Sequence, residues 1–80
     1  MNTIRQIEKI ERLHKLIESN QSGDAKELSE TLGLSRRTIY YYLQELREFG
    51  AIISYDEIKK TYYYENKFEI KFIFEVKVTL

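Results

Sequence analysis

Two residues, Gly33 and Leu34, separate two stretches of sequence that each carry their own helix-start chemistry. The upstream stretch opens on Asp24, whose carboxylate suits the orphan amides of a first helical turn, with Glu27 three residues later as in a capping box. Ala25, Leu28 and Leu32 recur at helical spacing, and Gly33 ends the pattern in the left-handed conformation that glycine adopts freely. Leu34 is the apolar residue that usually follows such a cap. Ser35 is then the N-cap of the next helix, with Ile39, Leu43 and Leu46 as its apolar stripe. So short a link holds the two helices at a steep angle, with Ser29 small where they cross closely and Leu32, Leu34, Ile39 and Leu43 filling the crossing.

The rest of the chain fits around this pair. Ile4, Ile7, Ile10, Leu13, Leu16 and Ile17 predict a first helix over 3–19, with Thr3 as its N-cap, and "SNQSGD" breaks it. The second helix is expected over 24–32 and the third over 35–49, before the terminator Gly50. Beyond Gly50 the apolar period drops from about 3.6 to 2. "AIISY", the polar "DEIKK" and "TYYYE" predict a hairpin over 51–65, with Tyr62 and Tyr64 facing one way and Tyr63 the other. "NK" marks a second turn. "FEIKFIFEVKVTL" then alternates strictly and predicts a further strand over 68–80, unusually long beside the usual five or six residues.

One domain over 1–80 is expected, of the α+β class: a winged helix-turn-helix, three helices followed by a β-hairpin wing, with an extra long C-terminal β-strand. Eighty residues leave little stability to spare. The absence of cysteine rules out disulfides and thiolate chemistry, and suits a cytoplasmic protein. No apolar run approaches the roughly 18 residues of a membrane span, and the charged amphipathic start is unlike a signal peptide, so no membrane association is expected. His14, beside the first helix's stripe, reads as a structural histidine. With no paired carboxylates, phosphate loop or Ser/His/Asp set, neither an enzyme nor any cofactor, metal or small-molecule ligand is expected.

The sequence from Ile4 to Tyr64 resembles the winged helix-turn-helix at the N-terminus of WYL-domain bacterial transcription regulators and their relatives. "LSETLGLSRRTIY" and "LREFGAIISYD…TYYY" carry the resemblance. It implies a bacterial regulator that binds specific sequences of double-stranded DNA, usually as a dimer, and controls transcription. Two features depart from that family. Where relatives continue into an effector-sensing domain, this sequence continues with "FEIKFIFEVKVTL". Where they carry Arg-Asp, it carries Tyr41-Tyr42.

A 100° step per residue, with Ile39, Leu43 and Leu46 inward, turns Arg37, Tyr41, Gln44 and Glu48 outward. Arg36 and Tyr40 flank that face on one side, Thr38 and Glu45 on the other, and Tyr42 falls beside the core. In a helix-turn-helix the N-terminal part of this helix enters the major groove. The DNA-contact set read from the sequence is therefore Ser35, Arg36, Arg37, Thr38, Tyr40, Tyr41 and Gln44, with Lys59 and Lys60 at the wing tip set against phosphates. The overhanging apolar strand, the first helix, or both are the expected contacts of a homodimer. The net charge is zero, with 13 basic and 13 acidic residues, where nucleic-acid-binding domains are often strongly basic. The alternative reading is thus a protein–protein interaction winged helix that has lost DNA binding.

Overall fold

The computed structural model describes residues 3–71 and 77–79. Helices α1 (Thr3–Glu18), α2 (Ala25–Leu32) and α3 (Arg36–Glu48) are followed by an antiparallel hairpin of β1 (Ile53–Asp56) and β2 (Thr61–Tyr64). Three helices and a two-stranded wing are the elements expected of a winged helix.

Helix α1 counts Thr3 as its first residue, so Thr3 lies inside the helix and not before it. Leu13 and Ile17 are fully buried, Ile10 and Leu16 partly so, and Ile4 is exposed despite its place in the stripe. Asn20 closes the helix at φ 58°, a conformation its short polar side chain tolerates. The amides of Asn20 and Gln21 return to the carbonyls of Ile17 and Leu16 at 3.1 and 2.9 Å, which satisfies two orphan acceptors of the last turn.

Both caps around the tight turn are formed. The Glu27 amide donates to Asp24 Oδ1 at 2.8 Å, and the Thr38 amide donates to Ser35 Oγ at 3.1 Å. Gly33 sits at φ 66°, and the Leu34 amide closes the turn onto the Ser29 carbonyl at 3.0 Å. The Ser29 hydroxyl donates in turn to the Leu34 carbonyl, so its small side chain ties the turn from both ends. Lys9 of α1 donates to the carbonyl of Leu32, the last residue of α2.

The core gathers Leu13, Ile17, Leu28, Leu32, Ile39, Leu43 and Leu46, with Tyr42, Ala51, Ile53 and Phe68 around them. The wing register runs from Ile53↔Tyr64 to Asp56↔Thr61. Tyr62 and Tyr64 pack against the core, as the period of two requires. The start of β2 is tied to the α1–α2 loop, where the Tyr62 amide donates to Ser22 Oγ at 2.9 Å.

The long C-terminal strand is corrected for every described residue of that stretch: residues 68–71 and 77–79 form no strand, and among the described residues the sheet has two strands, β1 and β2. The remainder of that expectation lies outside the described residues. The reason is visible at Asn66. Its side chain accepts from the Ile52 amide at 3.0 Å and donates to the Gly50 carbonyl at 2.9 Å. The chain is thereby drawn across the base of the wing, and Phe68 buries itself against His14 and Tyr64. One edge of β2 already pairs with β1 and the other meets Ser22, so neither edge is open for a third strand at Tyr62.

Candidate nucleic-acid interface

Helix α3 is anchored by four buried residues, Ile39, Tyr42, Leu43 and Leu46, which fix its rotation about its own axis. What remains outward at its N-terminal half is Ser35, Arg36, Arg37, Tyr40, Tyr41 and Gln44, all exposed, with Thr38 half-buried between them. Among the described residues neither Arg36 nor Arg37 has an ion-pair partner; Lys15 pairs with Glu11, and the His14 ring lies 3.6 Å from a Glu18 oxygen. Two unneutralised guanidinium groups at the positive end of a helix make this the part of α3 best suited to anions. The Ser35 hydroxyl is already engaged: besides capping the Thr38 amide it lies 2.9 Å from Thr38 Oγ1.

The tyrosine triplet divides. Tyr42 is buried at 3% exposure, whereas Tyr40 and Tyr41 are exposed at 55% and 59%. The Tyr41 hydroxyl is directed to the Glu45 carboxylate. That hydrogen bond, with the charges of Glu45 and Glu48, raises the phenol above its ordinary value. Tyr41 therefore presents a neutral phenol beside the acidic side chains of its own helix. On β2 the Tyr62 phenol is raised first by burial and then by the neighbouring Tyr40 hydroxyl.

Recognition helix and wing are joined by Arg47, whose guanidinium donates to the Ile53 carbonyl at 3.2 Å, and the tilted rings of Tyr55 and Tyr62 meet across the hairpin with centroids 4.9 Å apart. Lys59 and Lys60 are exposed in the four-residue connection between β1 and β2. Asp56 organises that connection by accepting from the amides of Ile58 and Lys59 at 2.9 and 3.0 Å. These two bonds, Lys59 first, hold its carboxyl below the usual range. The bracing by Tyr62, Arg47 and Asp56 was not read from the sequence. An aspartate opening a polar hairpin loop is a recognisable signal for the last of these; the other two depend on the wing's docking angle, which no local pattern encodes.

At the far end of α3 lies a groove of about 400 Å³ lined by Ile7, Ile10, Glu45, Leu46, Phe49, Ile70 and Lys71. Phe49, on the rim of this groove, is exposed. Among the described residues, no group of three His, Cys, Asp or Glu side chains is placed to hold a metal ion, and no helix is long and apolar enough to cross a membrane.

A steeply turned helix pair with two free arginines at the start of the second helix, braced against a wing, defines a helix-turn-helix DNA-binding module. The sequence profile of a family described as an HTH domain matches residues 5–58, more than half of the chain, and the protein belongs to that family. This is the kind of domain found in WYL-associated regulators, in keeping with the resemblance read from the sequence, and it is a DNA-binding kind of domain, not an enzymatic one. No curated protein and no solved structure matches the chain.

Proposed function

We propose that this protein is a bacterial, cytoplasmic transcription regulator that binds specific sequences of double-stranded DNA. Helix α3 enters the major groove, and Lys59 and Lys60 of the wing lie on the neighbouring backbone. The observation that carries this reading is the continuous exposed face of Arg36, Arg37, Tyr40, Tyr41 and Gln44 on the helix that a helix-turn-helix uses for recognition. Arg37 and Gln44 have the donors and acceptors to read base edges, and Tyr41 offers its ring to a thymine methyl. Arg36, Lys59 and Lys60 serve as phosphate contacts.

A homodimer completes the reading. The groove beside Phe49 lies about 20 Å along α3 from its N-cap, at 1.5 Å per residue, so a second copy seated there leaves the DNA-facing end of each protomer free. Glu45 and Lys71 on its rim set opposite charges against each other across a two-fold axis.

Selection of bound duplexes from a random library tests this function. Enrichment of one motif is expected, with loss of binding in the Arg36→Ala/Arg37→Ala double variant; no enrichment overturns it. The second reading, a protein-binding winged helix, is favoured by zero net charge and by Glu45 and Glu48 beside Tyr41. It predicts a partner complex that is insensitive to salt.

A further inference from the structure

The wing tip holds a residue that neither a solvent-facing turn nor a phosphate contact calls for. The connection between β1 and β2 reads Glu57-Ile58-Lys59-Lys60. Hairpin connections favour glycine, asparagine and aspartate, which meet the local backbone demands, and none of the four residues is of that kind. Ile58 is 95% exposed, more than any other large apolar side chain among the described residues.

Its backbone is nonetheless pinned. Asp56 holds the amides of Ile58 and Lys59, Lys60 turns the chain back at φ 51°, and Asp56↔Thr61 is the last rung of the ladder. The wing beneath is tied to α3 by Arg47, and to the α1–α2 loop by Ser22. An apolar side chain therefore projects at a fixed place relative to the recognition helix, with two exposed cations following it in the chain. The Asp56 carboxylate beside them is occupied by backbone amides.

We propose that Ile58 is a wedge that enters the minor groove next to the major-groove site of α3 and partly unstacks one base step, while Lys59 and Lys60 hold the phosphates on either side. This rests on the DNA-binding reading and deepens it. The minor groove suits such a side chain in two ways: its walls are sugar edges, and apolar residues inserted between base steps open them and bend the duplex toward the major groove. Pyrimidine–purine steps yield most readily. Ile58 thereby makes the protein selective for a deformable step at a fixed offset from the bases read by α3, at a position where it makes no hydrogen bond to a base.

The test uses the duplex enriched by selection, with a fluorescent adenine analogue placed in turn at each step flanking the α3 motif and a fluorophore pair at the duplex ends. Wild-type protein is expected to raise the analogue's fluorescence at one step and to shorten the end-to-end distance. Ile58→Ala and Ile58→Ser, at a site with almost no packing to lose, are expected to keep the thermal midpoint and the salt dependence. They should abolish both optical signals and weaken binding on the order of tenfold, the usual scale for one disturbed base step. Lys59→Ala/Lys60→Ala is expected to do the reverse, lowering the salt slope by about 2 per bound protomer while the fluorescent step persists at saturation. If wild type and Ile58→Ala bind with the same affinity and the same bend, the wedge is overturned while DNA binding stands. If wild type binds no duplex, the functional reading fails and the wedge with it.

Discussion

His14 shows how one side chain holds the wing to the body of the protein. It is buried at 7% exposure on α1, with Nδ1 2.7 Å from the Tyr64 hydroxyl and Nε2 3.6 Å from a Glu18 oxygen. A carboxylate beside Nε2 favours the proton there, which leaves Nδ1 to accept from Tyr64. Burial first, and then the charge of Glu18, raise the Tyr64 phenol, so it remains a protonated donor throughout the neutral range. Phe68 covers the pair, with its ring 5.8 Å from that of His14 and 5.2 Å from that of Tyr64. Tyr64→Phe keeps this ring packing and removes one oxygen, leaving a buried ring nitrogen without its partner. A loss of about 1–3 kcal/mol is expected, read as a lower urea midpoint at unchanged slope. A midpoint equal to wild type would show that water replaces the hydroxyl and that the bond adds nothing to wing docking.

At the scale of elements, the tight turn depends on backbone conformation at one position. Gly33 sits at φ 66°, and a Cβ built there meets nothing closer than Lys9 Nζ at 4.0 Å. The cost of Gly33→Ala is therefore confined to the left-handed backbone, about 1–2 kcal/mol, and urea denaturation checks it. A much larger loss would mean that α2 and α3 reorient. This turn was legible in the sequence because Asp24, Gly33 and Ser35 act within a few residues of themselves. The wing was legible for the same reason, from the change of period after Gly50. The strand expected over 68–80, which is absent at 68–71 and 77–79, was not legible, because alternation specifies only which side chains would share a face. A strand also needs a free edge to pair with, and at Tyr62 that edge is taken by Ser22, through a contact made 40 residues away in sequence. The candidate site divides similarly. Which residues of α3 face outward followed from Ile39, Leu43 and Leu46, whereas the tie from Arg47 to the Ile53 carbonyl required the folded wing.

The whole molecule is electrically neutral, so its field at a distance is weak and any affinity for DNA must come from charges in contact. The proposed interface has four: Arg36, Arg37, Lys59 and Lys60. At about 0.9 counterions released per neutralised phosphate, they predict a slope of log K against log salt of about −3.5 for one protomer and about −7 for a two-fold dimer. The same titration therefore reports both the contact set and the assembly. Arg36→Ala/Arg37→Ala should make the slope shallower by about 2 per bound protomer. Phe49→Glu places a charge in the apolar groove far from the DNA-facing end, at a side chain already 68% exposed, so the fold should survive while the dimer does not. That variant is expected to halve the slope and the sedimenting mass together. A halved mass with the full slope would mean that two monomers bind independently to adjoining half-sites. A slope near zero in the wild-type protein would remove the phosphate contacts altogether and leave the exposed tyrosines of α3 to a protein partner.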